Sequence, residues 1–230
     1  ITDDEVKKLS SLNSAWAEFQ EMLIDSETML EKSKQNMKRD LMSSLENWQS
    51  GCVDLYSSLT EQMPTEGDIK MEDAFAKIGE FQAQIKVIQE KKVGLKMGLD
   101  LFETELPEPK ELAKAEKDLK LAEDMWTLRK DWTRNFDSWK TGQFDKLDVE
   151  DMTNQAGQFT KKIGKLKREI ARWDVWELMQ KTVREFVDTM PLITDLKNPA
   201  LRERHWNDLK AELHKDFDQT SVDFTLEKGF

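Results

Sequence analysis

The sequence has little glycine, proline, cysteine and histidine, and these shortages exclude several kinds of protein. Its 230 residues include 9 Gly and 5 Pro, about half their average share. An all-β sandwich or barrel needs more frequent turns than these residues can supply. Cys52 is the single cysteine, which excludes an intrachain disulfide framework and fits a reducing compartment. The whole chain has only two histidines in addition to this cysteine, so it cannot form a Cys/His zinc cluster by itself.

Long apolar runs and a positive charge balance are missing too. No run approaches the roughly 18 apolar residues of a transmembrane helix, so we expect no membrane contact. The net charge of -11 argues against a nucleic-acid binder, which would carry a basic footprint. The first residues, ITDDEVKKLS, form no signal peptide. Because they also lack an initiator Met, we expect an internal segment of a longer chain.

What the sequence does contain is charge and helical periodicity. Charged residues make up 35% and apolar residues 38% of the chain, a composition typical of long, narrowly amphipathic helices. In the first helix, apolar residues alternate at steps of three and four, as at Leu12, Trp16, Phe19 and Leu23. The sequence predicts an all-α fold of extended antiparallel hairpins in a coiled-coil-like bundle. The five predicted helices span residues 3–62, 68–106, 110–140, 148–189 and 199–214.

Helix breakers place the boundaries between these helices. Pro64 stops the first helix, and the short connection after it makes the second antiparallel. Pro107 and Pro109 divide residues 1–106 from residues 107–230. Further signals are an expected C-terminal cap at Gly142, an N-cap at Asp148, an end or kink at Pro191, and an Asn198 cap followed by Pro199.

No catalytic or cofactor signature is present. The chain has no GxxxxGK[ST] loop to hold phosphates, no GxGxxG, no HExxH and no GxSxG. Gly94 and Gly98 lie in a helical stripe, which favours close helix packing over a ligand loop. We therefore expect no enzyme, no bound cofactor and no metal in this segment.

Tryptophans and one basic stretch are the candidate interfaces. Each has two interpretations: the tryptophans either fill the seam between helices or dock another subunit, and the basic residues either form a solvated face or meet an acidic partner. Residues 161–172 contain six basic residues and one acid. The candidate interface residues are Trp126, Trp132, Trp139, Trp173, Trp176, Lys161, Lys165 and Arg168.

The C-terminal half contains a specific motif. Residues 190–206 read MPLITDLKNPALRERHW, residues 223–227 read DFTLE, and residues 132–144 read WTRNFDSWKTGQF. These words resemble the linker region of dynein heavy chains, and NPAL is more similar to axonemal than to cytoplasmic chains, with an inner-arm type favoured. The motif residues, which we expect to be structural, are Pro191, Leu192, Asp195, Leu196, Asn198, Pro199, Arg204, His205 and Trp206.

The resemblance implies a place in a motor. Residues 1–106 would be the C-terminal part of the tail, and residues 107–230 the N-terminal part of the linker. The segment would be a non-catalytic mechanical and assembly element of a microtubule-based motor of cilia. The parent chain would bind ATP and Mg in AAA+ modules elsewhere.

The same resemblance implies partners and a location. They would be the rest of the heavy chain, intermediate and light chains or a neighbouring heavy chain, and the microtubule doublet through the assembly. The location would be the cytoskeleton of the cytoplasm, in the ciliary or flagellar axoneme. The alternative is an independent coiled-coil or spectrin-like scaffold or adaptor.

From the residues themselves, we expect His205 and Trp206 to clamp the fifth helix onto the fourth.

Overall fold

The chain folds almost entirely into α-helices. This computed structural model describes residues 2–214, 217–219, 221 and 224–229. Over these residues no strand forms, and Gln143 makes one isolated antiparallel bridge to Thr225. The elements are α1 (Asp3–Gln62), α2 (Met71–Leu101), α3 (Lys110–Thr141), a 3-10 turn (Phe144–Lys146), α4 (Val149–Ile170), α5 (Asp174–Leu196), α6 (Glu203–Leu213) and a short α7 (Leu226–Gly229).

The predicted fourth helix is in fact two helices that pack against each other. α4 ends at Ile170, where the N–H of Trp173 donates to the Ile170 carbonyl at 2.9 Å and the chain reverses. The buried Trp176 then donates its indole N–H to the Ile163 carbonyl at 3.1 Å. Apolar residues of both helices face the shared interface, so the periodicity runs through the break without a Gly or Pro. The all-α class is confirmed, but the described residues form six long helices instead of five.

Pro191 does not end its helix. α5 continues through it to Leu196, although a proline cannot donate the usual backbone hydrogen bond. Met190 and Ile193, on either side of the proline, are buried. The apolar stripe therefore keeps the helix against its neighbours across the missing hydrogen bond. At the start of α4, by contrast, the predicted N-cap is confirmed, because Asp148 accepts a hydrogen bond from the Asp151 N–H at 3.0 Å.

Gly142 follows α3 for a steric reason. α3 ends at Thr141, directly before Gly142, and none of the described glycines has a positive φ. The Gly142 N–H donates to the Ser138 carbonyl at 3.0 Å. A Cβ at this position would lie 2.8 Å from that carbonyl oxygen. Glycine is required here because the backbone folds back closely on itself.

The chain divides into two compact units, each built from two stretches of sequence. Unit 1 comprises Ile1–Tyr56 and Ile85–Leu112, and unit 2 comprises Ser57–Gln84 and Ala113–Phe230. Each unit contains part of α1 and part of α2. The predicted division into a tail part, residues 1–106, and a linker part, residues 107–230, is a division by family region. The two compact units do not test it, so it stays a prediction.

Within unit 1, α1 and α2 run antiparallel. Trp48 donates its indole N–H to the Ile88 carbonyl at 3.0 Å. Leu41 lies against Gly98, where an added Cβ would come within 2.9 Å of the leucine side chain. Gly98 therefore marks close helix packing, as the sequence predicts.

Within unit 2, aromatic rings join three helices. Trp132 on α3 meets Phe159 on α4 with centroids 5.2 Å apart and Phe186 on α5 at 5.4 Å, both edge to face. Trp139 stacks on Phe186 at 5.1 Å. Edge and stacked ring pairs stabilise a core beyond their buried area. This aromatic cluster is the centre of the α3–α4–α5 bundle.

We predict that Trp132→Ala destabilises the chain strongly. The side chain is 3% exposed, and removing it leaves a large cavity that should cost about 3–5 kcal/mol. Urea unfolding followed by circular dichroism measures this loss. Trp16→Ala is the control, because Trp16 is 61% exposed and its loss should change stability by less than about 0.5 kcal/mol. Equal effects of the two substitutions would contradict the assignment of Trp132 to the core.

Candidate functional site

The loop between α1 and α2 is held by α3, within unit 2. The indole of Trp126 donates its N–H to the Pro64 carbonyl at 2.8 Å. Arg129, one turn further along α3, donates to the Gly67 carbonyl at 2.8 Å. Residues three apart share a helix face, so one face of α3 grips the loop at two points. We call these contacts the loop clamp.

The start of α5 completes the loop clamp. Val175 donates its backbone N–H to the Thr65 carbonyl at 2.9 Å. Gly67 packs against Leu178, and a Cβ added to this glycine would lie 3.1 Å from the leucine side chain. The loop is thus fixed between two helices by backbone carbonyls and by one close approach.

Burial makes the contacts of α3 strong. Trp126 is 0% exposed, and a buried indole N–H without an acceptor would be costly. The Arg129 guanidinium lies over the Trp126 ring, 4.9 Å from its centroid. Burial lowers the pKa of Arg129, but an arginine remains charged at neutral pH. A charged donor to a backbone carbonyl is among the stronger hydrogen bonds of a protein.

A second aromatic group lies at the C-terminal corner. Phe144, in the 3-10 turn, meets Phe224 at 5.2 Å and Trp206 at 6.4 Å between ring centroids. Trp206 also meets Phe217 at 6.3 Å. The Phe144 N–H donates to the Phe224 carbonyl at 2.9 Å. Ring and backbone contacts together pin the end of the described chain to the turn after α3.

Lys197 ties the end of α5 to the same turn. Its ammonium group donates to the carbonyls of Asp145, at 3.0 Å, and Leu147. The ammonium also lies 6.0 Å from the Phe144 ring centroid. A single cation thus satisfies carbonyls of the 3-10 turn and holds α5 beside it.

The NPAL residues form a turn instead of a helix start. The Asn198 side chain accepts a hydrogen bond from the Ala200 N–H at 2.9 Å. The Leu201 N–H donates to the Asn198 carbonyl at 3.0 Å. Asparagine and proline at the first two positions favour such a turn, because one accepts locally and the other presets φ. The expected Asn198 cap is wrong, since α6 begins at Glu203.

His205 provides the actual start signal of α6. Its Nδ1 accepts a hydrogen bond from the backbone N–H of Arg202 at 3.0 Å. The His205 N–H in turn donates to the Arg202 carbonyl at 2.9 Å. These paired bonds between the cap residue and the third helical residue resemble one half of a capping box. The contacts assign His205 a structural role at a helix end.

The motif residues lie mostly at the surface. Pro191, Leu192, Asp195, Asn198, Pro199 and Arg204 are exposed, and Leu196, His205 and Trp206 are half-buried. The ring of Trp206 contacts Phe144, Phe217 and Phe224. The sequence analysis had instead expected Trp206 to clamp its helix onto the preceding one. Asp223, the first residue of DFTLE, lies outside the described residues.

The candidate interface residues separate into two groups. Trp126, Trp132, Trp139 and Trp176 are buried in unit 2, which agrees with the seam-filling interpretation. Trp173 is half-buried, and the basic residues Lys161, Lys165 and Arg168 are exposed on α4. An interface at these last four residues stays a prediction.

Within the basic stretch, the acid Glu169 is neutralised by its own chain. Lys117 on α3 donates to the Glu169 carboxylate at 2.7 Å. This hydrogen bond, and next the charge of Lys117, lower the pKa of Glu169. Glu169, the one acid among residues 161–172, is therefore already paired with Lys117, and the basic residues of this stretch of α4 face solvent.

The described residues offer limited chemistry. Over the described ranges, no helix has both the length and the apolar character that crossing a membrane requires. No group of three or more His, Cys, Asp or Glu side chains there is arranged to hold a metal ion. Cys52 is fully buried, and burial is the main cause that raises the pKa of its thiol. Since the thiolate is the nucleophile, Cys52 has the character of a core residue.

The sequence has clear relatives. Residues 112–230 match the family described as dynein heavy chain, N-terminal region 2. The chain belongs to the dynein heavy chain family. It is 34% identical over 230 residues, 99% of this chain and 5% of the relative, to dynein axonemal heavy chain 2 of Homo sapiens. The resemblance that the sequence motif indicates is thereby confirmed.

Two further dynein heavy chains extend this comparison. The chain is 33% identical over 225 residues, 98% of its length and 5% of the relative, to the dynein-1-beta heavy chain of the flagellar inner arm I1 complex of Chlamydomonas reinhardtii. It is 30% identical over 146 residues, 64% of its length and 3% of the relative, to the ciliary dynein beta chain of Tripneustes gratilla. The chain thus spans about 5% of the length of the first relatives.

Sequence reasoning on this dynein heavy chain segment missed the loop clamp. The acceptors on Pro64, Thr65 and Gly67 are backbone carbonyls, which every residue has and no side-chain pattern reveals. A usable signal was the pair Trp126 and Arg129, since a large donor and a cation on one helix face need buried acceptors.

We predict that Trp126→Phe weakens unit 2. It removes the indole N–H and leaves the buried Pro64 carbonyl without that donor, at a cost of about 1–3 kcal/mol. Trp132→Phe is the matched control, because it removes the same atoms from a buried site whose described contacts are aromatic rings. Chemical denaturation compares the two variants. If Trp126→Phe were no more destabilising than its control, the loop clamp would not depend on the hydrogen bond.

We predict that Lys117→Met raises the pKa of Glu169. Because the pair lowers this pKa, its contribution to folding is present above the ordinary pKa of a glutamate and is lost as pH falls through the lowered value. Carbon-13 NMR titration of the side-chain carboxyl should show an upward shift to the ordinary range. Lys120→Met is the control, because Lys120 pairs with Glu123 and Asp124 on its own helix. An unchanged Glu169 titration in Lys117→Met would exclude the ion pair in solution.

Proposed function

We propose that this chain is a non-catalytic mechanical and assembly segment of a ciliary dynein heavy chain, at the junction between tail and linker. The observation that carries the proposal is the similarity over 99% of the chain to heavy chains named as axonemal. The match of residues 112–230 to N-terminal region 2 of dynein heavy chains supports a place near the linker.

The loop clamp supports a mechanical role. A segment that transmits force needs a connection that does not yield between consecutive helices. Here Trp126, Arg129 and Val175 each donate to a different carbonyl of one loop, and several bonds loaded together resist displacement better than one. The loop is thus a stiff point within unit 2, held by α3 and α5.

The work of ATP hydrolysis would belong to other parts of the parent chain. The phosphate-binding loop GxxxxGK[ST] does not occur in these 230 residues. By resemblance to the family, ATP and Mg²⁺ would bind AAA+ modules outside the segment. This chain would then act as a stiff connection that holds neighbouring parts of the motor in place.

Location and partners follow from the same relatives. Names such as dynein axonemal heavy chain 2 and flagellar inner arm I1 complex support a place in the ciliary or flagellar axoneme. There the segment would contact the rest of its heavy chain, intermediate or light chains or a neighbouring heavy chain, and through the assembly the microtubule doublet. The basic face of α4 suits an acidic partner surface. An independent scaffold protein is the weaker alternative, because it does not account for the match over residues 112–230.

We predict that this sequence is part of a very large axonemal polypeptide. An antibody raised against it should detect, on a denaturing gel of isolated axonemes, a band many times heavier than the 26.9 kDa of these residues. The band should leave the axoneme in high salt, as an assembly held by polar contacts does. A band near 26.9 kDa, absent from axonemes, would instead support the independent scaffold.

A further inference from the structure

A long apolar face of α1 is exposed in unit 1. Eight large apolar side chains on one side of α1 are between 43% and 70% exposed. Together they present on the order of 800 Å², which is what one partner contributes to a standard interface, and soluble monomers seldom expose so much in one stretch. We call this surface the α1 apolar face, formed by Leu12, Trp16, Phe19, Met22, Leu23, Met29, Leu30 and Met37.

The same side of α1 is covered further along the helix. The stripe continues through Leu45, Trp48 and Cys52, which are buried in unit 1. Leu41 marks the change, because it lies against Gly98 near the end of α2, and the side chains described between residues 11 and 40 are all exposed. One apolar stripe of α1 is therefore buried in its second half and exposed to solvent in its first half. This is the arrangement expected of a helix whose exposed half binds a partner.

The width of the face indicates how it is covered. Leu12, Trp16, Phe19 and Leu23 occupy the two rows of a heptad seam, which one partner helix can cover. Met22 and its equivalent one heptad later, Met29, add a third row beside them. Three rows make a stripe wider than a two-helix seam and typical of a helix that packs into a multi-helix core. The α1 apolar face therefore suits a groove between two helices.

The centre of the face has the character of an interface core. The rings of Trp16 and Phe19 lie 5.8 Å apart. Ala15 leaves a notch beside Trp16 and Leu12, into which a partner side chain can fit. Aromatic and methionine side chains are enriched at the buried centres of interfaces.

Charge limits the partner. Between residues 10 and 31, alongside seven of the eight face residues, the helix carries five acids and no base: Glu18, Glu21, Asp25, Glu27 and Glu31. The bases Lys32, Lys34, Lys38 and Arg39 follow only around Met37. A second copy aligned on the Trp16–Phe19 pair would place acids against acids, which is unfavourable. A groove complementary to residues 12–30 would carry Lys or Arg along its edges.

We propose that the α1 apolar face docks into a groove between two helices of the same dynein heavy chain, outside these 230 residues, with basic residues along the groove edges. The identity of the parent chain rests on the proposed function. The relatives are about twenty times longer than this chain, which covers 5% of them. A segment of the same polypeptide is tethered nearby, so its effective concentration exceeds that of a free partner.

The test is site-specific cross-linking in the full heavy chain. A photoreactive benzoylphenylalanine replaces Phe19, at the centre of the face, in the chain assembled in axonemes. The matched control places the same group at Glu21, on the opposite side of α1. Irradiation followed by mass spectrometry should give a product from position 19 that joins α1 to another helical segment of the heavy chain with Lys or Arg beside its apolar positions, and little product from position 21.

Other products contradict the inference. A link from position 19 to residues 1–40 of a second copy, to another subunit, or to a groove with acidic edges would overturn it, as would an absence of product. Such results leave the proposed function intact as long as the heavy chain is recovered in axonemes. Absence of the chain from axonemes would instead overturn the proposed function.

Charge reversal provides an independent measurement. Glu18→Lys and Asp25→Lys change two acids that border the face on one side, two helical turns apart, so together they should lower the yield from position 19 several-fold. Glu21→Lys is the control and should leave this yield unchanged. An undiminished yield in the double variant would show that the groove edges are not basic.

Discussion

The hydrogen bond from the buried Trp126 indole to the Pro64 carbonyl is the contact on which the arrangement of unit 2 depends. Pro64 ends α1 because proline disfavours helical geometry in the residue before it. The backbone carbonyls of the loop that follows then need hydrogen-bond donors from elsewhere in the chain. α3 and α5 provide the donors, with Arg129 bonded to Gly67 and Val175 to Thr65. The breaker that ends α1 thus creates the acceptors that bind α3 and α5 to the loop.

Narrow apolar stripes explain why a chain with 38% apolar residues forms cores at all. In unit 2, the stripes of α3, α4 and α5 meet around Trp132, Trp139 and Phe186, and large rings fill the space that many small side chains would otherwise occupy. In unit 1, the stripe of α1 is covered by α2 only over part of its length. The low apolar share therefore reflects helices that are each covered on one side, with the remaining sides left to charged residues.

The sequence predicted the helices better than their connections. The bounds of α1 agree with the prediction at both ends, because a long stripe and one proline determine them. The turn at Trp173 was missed, since both helices of that hairpin bury the same periodic residues and no Gly or Pro marks the reversal. Asn198 and Pro199 suit a helix start and a tight turn equally well in composition, and only the Asn198 bond to the Ala200 N–H decides for the turn. The loop clamp could not be predicted, because its acceptors are backbone atoms.

The motif residues raise a physical question, since those that identify the family lie largely at the surface. Their described contacts act on the backbone path more than on a core. Among them, Asn198 closes a turn and His205 starts a helix. Lys197, which lies between motif residues, holds the 3-10 turn through its carbonyls. Such residues determine the direction in which the chain leaves α5 while burying little apolar area. For the mechanical role that we propose, direction would be the functional quantity, because a helix that starts at a different angle would deliver force to a different place. The corner around Trp206 and Phe144 then holds that direction against the turn after α3.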